Sequence, residues 1–185
     1  MSTPIIETRH LTKYFKTPRG MLHAVEDVSL TIEPGKTIGV VGESGCGKTT
    51  LGRVITRLEE ATSGEVYLDG REILQLKGRE KNAIYHDMQM IFQDPYSSLN
   101  PRMSVGNIIA DPIETMGAKM SHKELNQKVL HLMETVGLPA RYYNQYPHEL
   151  DGGRRQRVGL ARALALERAD ARSGDEAARR SARDA

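Results

Sequence analysis

The amino-acid sequence predicts an α/β fold in which short strands lead through a glycine-rich turn into a helical second half. Three observations carry that reading. Short strand-like runs occur in the first 70 positions, the apolar period lengthens at Lys48, and beyond Gln93 apolar stripes at helical spacing alternate with Pro and Gly. Ile5 to Leu11 and Val25 to Ile32 read as strands, the second with Val28, Leu30 and Ile32 on one face. After the Pro34-Gly35 turn, Thr37 to Val41 reads as a third. Leu51, Val54, Ile55 and Leu58 then fall at i, i+3, i+4 and i+7, the stripe of a helix packed on a sheet. Ser63-Gly64 opens a further strand, Glu65 to Leu68, closed by Asp69-Gly70, and Met88 to Phe92 has the length and apolar content of a buried strand.

In the second half, Pro95, Pro101 and Pro112 are expected to divide the helical stretch into short pieces. Ser121 and Glu124 have the spacing of a capping box, followed by Leu125, Val129, Leu132, Met133 and Val136, with Gly137 and Pro139 as stop signals. That stripe reads as core packing, because its polar side is mixed rather than basic. Gly152-Gly153 precedes a helix from Arg154 to about Leu166, with Val158, Leu160, Ala161 and Leu164 apolar. Residues 167–185 comprise six Ala, five Arg, five acidic residues, two Ser and one Gly. With no apolar side chain larger than alanine, this tail cannot supply a buried strand and is expected to be disordered or a solvated helix. Its abrupt onset after Leu166 also fits an out-of-frame translation.

A chain of 185 residues has room for one full domain and a small second one, and 38% hydrophobic with 27% charged residues is ordinary globular composition. A net charge of +2 is too balanced to argue for nucleic-acid binding by field strength alone. One cysteine excludes a disulfide framework and fits a reducing compartment, and six histidines without ligand spacing do not suggest a metal centre. No apolar run approaches the ~20 residues that span a bilayer, so neither a membrane span nor a signal peptide is expected.

The chemistry concentrates in Gly42-Glu43-Ser44-Gly45-Cys46-Gly47-Lys48-Thr49, which matches the phosphate-binding pattern GxxxxGK[ST] at every fixed position and lies between a predicted strand and a predicted helix. Glycines let backbone N–H groups curl around an anion, and the helix N-terminus adds its positive dipole end. Lys48 would reach the β- and γ-phosphates and Thr49 would offer a hydroxyl to Mg²⁺. Cys46 reads as a small filler residue.

Two further segments narrow the field: Ile91-Phe92-Gln93-Asp94-Pro95, with an amide side chain ending a predicted strand, and Leu150-Asp151-Gly152-Gly153-Arg154-Arg155-Gln156-Arg157, with paired glycines at a second helix start. Together with the phosphate loop these resemble the ATP-binding subunit of an ATP-binding cassette (ABC) transporter. The strings Phe92 to Met103 and Tyr146-Pro147-His148-Glu149-Leu150 are similar to the oligopeptide/dipeptide (nickel) importer branch. The resemblance, over residues 1 to about 166, implies a P-loop NTPase core with an N-terminal antiparallel β layer and a helical insertion. The expected divisions are 1–93 for the nucleotide-binding core, 94–157 for the helical subdomain ending in the signature segment, 158–166 for the helix returning to the core, and 167–185 for the tail.

The resemblance further implies ATP and Mg²⁺ as cofactors. Phe15, with Tyr14 as a neighbouring candidate, matches the aromatic position that stacks on adenine. Gly42 to Thr50 hold the phosphates, Gln93 is the Q-loop residue sensing the γ-phosphate, and Thr49 and Gln93 face Mg²⁺. Leu150, Asp151, Gly152, Gly153 and Arg154 complete the site of a second ABC subunit, identical or different. Implied partners are that subunit and transmembrane permease subunits, with no nucleic acid, at the cytoplasmic face of the membrane, and Tyr96 to Met103 would bear on the permease. The implied activity is ATP hydrolysis coupled to peptide uptake.

The sequence departs from the family pattern in two places. Asp151 and Arg154 replace the serine and glutamine of Leu-Ser-Gly-Gly-Gln. An ionised carboxylate repels phosphate by about 4 kcal/mol at ~4 Å and an effective dielectric near 20, which Arg154 and Arg155 are placed to offset. Second, Asp175-Glu176 follows no apolar run and does not read as the family's Walker B segment, so, against the resemblance, this chain is expected to lack the catalytic glutamate and the C-terminal part of the core. The sheet is then expected to expose apolar surface and an unpaired edge. A truncated, non-hydrolysing nucleotide-binding protein is therefore the alternative; a soluble P-loop kinase fits less well, having no use for the Gln93 and Leu150 to Gly153 elements together.

Overall fold

The computed structural model describes residues 3–94, 98–116 and 120–166; the tail expectation for 167–185 lies outside them. Two compact units divide after Ile84. The first is built on a four-stranded antiparallel sheet of order β2-β1-β3-β4. β1 (Ile6–Thr17) and β2 (Gly20–Ile32) form a long hairpin with Thr17 opposite Gly20 and Ile6 opposite Ile32. β1 is longer than predicted because Lys13 to Thr17 continue the pairing with β2. β3 (Ser63–Leu68) pairs with the other edge of β1, and β4 (Arg71–Glu72) folds back on it through Asp69-Gly70. Both turn residues have positive φ, 48° and 76°, the left-handed pair that matches strand twist.

α1 (Lys48–Ile55) packs on β1 and β2 and buries Leu51 and Val54. It is shorter than its apolar stripe: the backbone turns left-handed at Arg57 (φ 57°), whose guanidinium donates to the carbonyls of Ile73 and Leu76, and Leu58 is left 46% exposed. α2 (Gly78–Asp87) escaped the sequence reading, since Ile84 is its one buried residue and no stripe marks it.

Two predicted strands do not form. Residues 37–41 have no regular structure, and Ile38, Val40 and Val41 are 44%, 50% and 91% exposed. Met88 to Phe92 likewise has none, with Ile91 52% exposed. Apolar residues create a strand only where a neighbour takes up its backbone N–H and C=O groups. No described strand pairs with either segment.

The second unit is helical. α3 (Val105–Thr115), α4 (His122–Thr135) and α5 (Gly152–Leu164) enclose one apolar cluster that includes Ile109, Val129, Met133 and Val158. Pro112 lies inside α3 rather than ending it. Val105, Ile108, Ile109 and Ile113 of that helix are each at most 2% exposed. At about 1.5–3 kcal/mol apiece their burial exceeds the ~3 kcal/mol a proline costs a helix interior. The predicted capping box of α4 is present: Glu124 N–H donates to Ser121 Oγ (3.3 Å) and Ser121 N–H to Glu124 Oε2 (2.8 Å). The Ser121 hydroxyl also donates to Glu124 Oε2 (2.7 Å), and this bond, with the Ser121 N–H, holds the Glu124 carboxyl below its ordinary pKa. Gly137, at φ 68°, closes α4, and 3₁₀ turns at Ala140–Tyr142 and Pro147–Glu149 lead to α5. α5 starts two residues earlier than predicted, with both glycines in its first turn. None of the described helices is long and apolar enough to cross a membrane.

Candidate nucleotide-binding site

The phosphate-loop residues lie exposed or half-exposed at the start of α1. Gly47 is the N-cap, at φ 93° and ψ 0°. A Cβ built there would lie 1.9 Å from the Ala24 carbonyl oxygen, so only glycine lets β2 and the loop approach so closely. The Lys48 ammonium turns back into the loop, donating to the carbonyls of Gly42 (2.9 Å) and Glu43 (2.6 Å), with Cys46 Sγ at 3.5 Å. A cation is thus already held at the centre of the ring of residues 42–48 by neutral acceptors. Thr49 is exposed and Thr50 half-buried on the next turn. A groove of about 680 Å³ adjoins the loop, lined by His23, Glu26 and Val28 of β2, by Ile38 to Val41 and by Cys46 to Lys48.

Phe15 and Tyr14 diverge. Phe15 carries the Lys13 ammonium 4.6 Å over its ring and does not line this groove. Tyr14, opposite His23 in the hairpin, stacks on that imidazole (4.0 Å between centroids) and donates its hydroxyl to Glu26 Oε1 at 2.5 Å. His23 Nδ1 lies 2.7 Å from the other oxygen of Glu26. The Glu26 bond raises the Tyr14 phenol, and the Tyr14 and His23 bonds lower the Glu26 carboxyl. His23 and Glu26 escaped the sequence reading, because only the bulged β1–β2 register brings residues 14, 23 and 26 to one place.

In the second unit, Gln93 is exposed at a bend after residues 88–92. The signature segment is ordered around a helix start. Leu150 is buried at 3% exposure, and Asp151 caps α5 by accepting from Arg154 N–H at 2.8 Å. The Arg154 guanidinium closes on the other Asp151 oxygen at 2.9 Å and lies 4.8 Å over the Tyr142 ring, which Arg141 approaches at 5.0 Å. The offset expected from Arg154 is therefore present as an ion pair with the Asp151 carboxylate. Arg155 is 5% exposed and donates to the Pro147 carbonyl at 2.5 Å. Arg157 donates to Gly137 O at 2.6 Å, and with Arg141, Tyr142, Asp151, Gly153 and Arg154 it lines a polar groove of about 350 Å³.

Residues 25–172, from inside β2 past the end of α5, match the family model described as ABC transporter. The chain belongs to the ABC transporter family. This ABC chain is 51% identical over 168 residues to the oligopeptide transport ATP-binding protein OppF of Bacillus subtilis (strain 168), a match covering 90% of this chain and 55% of that protein. It is 44% identical over 172 residues to the dipeptide transport ATP-binding protein DppF of Haemophilus influenzae, covering 90% of this chain and 52% of the relative. The chain thus spans about half the length of the curated relatives it matches. Among solved structures, the ATP-binding cassette MJ0796, in a dimeric post-hydrolysis state bound to ADP and Pi, superposes with a TM-score of 0.79 at 31% identity. That match covers 87% of this ABC chain and 69% of the cassette. Family membership implies nucleotide binding, and the α/β fold with its antiparallel layer and helical unit is that of an ABC cassette.

Proposed function

We propose that this chain is the ATP-binding component of an importer for oligopeptides, dipeptides or similar solutes, coupling ATP binding and hydrolysis to uptake. The observation that carries it is the caged Lys48 ammonium at the N-terminus of α1, in a chain whose relatives are named as peptide-transport ATP-binding proteins. Nucleotide phosphates would take over Lys48 from the Gly42 and Glu43 carbonyls. The exchange replaces two neutral acceptors with charged ones, which form the shorter and stronger hydrogen bonds. Backbone N–H groups of residues 45–49 supply the remaining donors, and Phe15 is the proposed platform for adenine.

Thr49 suits Mg²⁺, because its hydroxyl is exposed one residue beyond Lys48 and hard cations take oxygen donors. Thr49 and Gln93 are the proposed metal-facing residues, the bound ion serving to neutralise phosphate charge. Leu150 to Arg154 would complete the site of a second ABC subunit, identical or different. Transmembrane permease subunits are the proposed membrane partners, at the cytoplasmic face. The working division is 1–93 for the core, 94–157 for the helical subdomain and 158–166 for the returning helix.

Lys48→Ala tests this reading: fluorescent ATP should bind the parent chain and not the variant. Affinity unchanged within twofold would remove the phosphate-loop assignment. The exposed 37–41 segment and a tail without large apolar residues favour a second reading, a nucleotide binder that does not hydrolyse. ATP binding without phosphate release, beside a partner subunit, would select it.

A further inference from the structure

The β1–β2 hairpin outruns the rest of its sheet. β3 pairs with β1 only as far as Thr12 opposite Ser63, so Lys13 to Thr17 and their partners in β2 form a two-stranded arm with no third strand beside it. A two-stranded hairpin is marginal in water unless something covers it. Its end is held closed by the turn, where the Thr17 hydroxyl donates to the Gly20 carbonyl at 2.7 Å and accepts from Arg19 N–H at 3.3 Å. That end is apolar on both faces. Opposed residues of an antiparallel pair share a face, so the register sets Met21 beside Lys16 on one and Leu22 beside Phe15 on the other. Met21 and Leu22 are 55% and 54% exposed.

Charge at this end is one-sided. Residues 13–22 contain Lys13, Lys16 and Arg19 and no acid. Lys13 is engaged by Glu59 at 3.6 Å and by the Phe15 ring, whereas Lys16 and Arg19 are exposed and have no carboxylate partner among the described residues. Glu26, the first acid along β2, is occupied on both oxygens by Tyr14 and His23. Two free cations therefore flank two exposed apolar side chains at one closed turn. Such a mixture matches a layer with anionic headgroups outside and hydrocarbon beneath. A folded protein partner fits less well, because two apolar side chains supply only a fraction of the ~800 Å² that each side of a stable interface buries. A free anion would leave Met21 and Leu22 in water. We propose that the Lys16 to Leu22 end of the hairpin is a docking tip for a bilayer surface bearing anionic phospholipids. Met21 and Leu22 sit at the boundary between headgroups and acyl chains, and Lys16 and Arg19 pair with lipid phosphates. No phosphate-loop residue takes part, so the proposal stands apart from the nucleotide reading.

The experiment is co-sedimentation of the full chain, without nucleotide, with vesicles of phosphatidylcholine alone and with vesicles of equal phosphatidylcholine and phosphatidylglycerol. Each cation near an anionic surface is worth about fivefold in partition. Partition into the mixed vesicles should be at least tenfold stronger than into phosphatidylcholine, and should fall as salt is raised. Lys16→Glu with Arg19→Glu, and separately Met21→Ser with Leu22→Ser, should each weaken it at least tenfold. Lys77→Glu with Lys81→Glu makes the same change of charge elsewhere in the first unit and should leave partition within twofold. Hydrogen exchange across the β1–β3 pairs checks that each variant keeps the sheet. Equal partition into both kinds of vesicle overturns the proposal, as does none into either. Partition that survives both tip variants, or that falls as far with the Lys77 and Lys81 reversal, overturns it too and assigns the attraction to overall charge. Self-association of the chain without vesicles that the tip variants abolish, seen by analytical ultracentrifugation, would make the tip a protein interface and end the lipid assignment.

Discussion

Replacing Asp151 separates its two roles, capping α5 and bearing a charge beside a proposed phosphate site. Asp151→Ala removes the acceptor of the Arg154 N–H bond (2.8 Å) and the ion pair to the Arg154 guanidinium (2.9 Å). Loss of an N-cap acceptor costs about 1 kcal/mol, within a range of roughly 0.5–2. The ion pair adds at most a few tenths, because its side chains are 43% and 59% exposed and water screens them. The sum is about 1–1.5 kcal/mol. With a urea slope near 1 kcal/mol per molar for a unit of this size, the midpoint of the helical unit should fall by about 1 M. Asp151→Ser keeps a capping oxygen and should stay within about 0.5 kcal/mol of the parent. Urea unfolding by circular dichroism gives the midpoints, and hydrogen exchange at α5 amides assigns the change to this unit. A serine variant as destabilised as the alanine one would refute the capping argument, and a neutral alanine variant would refute both terms.

Other consequences follow from single contacts. Gly47→Ala, with a Cβ 1.9 Å from the Ala24 carbonyl oxygen at φ 93°, should cost at least about 1–3 kcal/mol and lower the melting temperature of the first unit, which thermal unfolding would reveal. The Glu124 carboxyl is depressed by its Ser121 bonds, so its contribution to α4 is present above the ordinary value of 4.5 and is lost as the pH falls through the lower folded value. Exchange rates of the first-turn amides of α4 should rise over that acid range, and Glu124→Gln should flatten the profile. Cys46 is exposed and should react with iodoacetamide, with Mg-ATP slowing the reaction severalfold. Mass spectrometry with and without nucleotide reads this, and equal rates would place the phosphates away from the loop.

What could be read from the sequence alone depends on neighbours along the chain. The Ser121–Glu124 box and the Gly137 stop of α4 are within-turn geometry, and the Asp69-Gly70 hairpin needs two left-handed residues in succession. The phosphate loop is likewise eight consecutive residues whose backbone freedom and cation suffice to mark it, and the tail's lack of large apolar side chains is composition. The tertiary structure decided whatever requires a partner distant in sequence. Thr37 to Val41 and Met88 to Phe92 have strand composition and no ladder, because a strand exists only where another takes its hydrogen bonds. Pro112 sits inside α3 because burial of that helix against α4 and α5 outweighs the missing N–H. The Tyr14–His23–Glu26 cluster depends on the β1–β2 register, and the placing of the Arg154 guanidinium over the Tyr142 ring joins α5 to the 3₁₀ turn before it. Local conformational preferences are encoded residue by residue, whereas pairing, burial and charge compensation are properties of whichever surfaces the fold brings together.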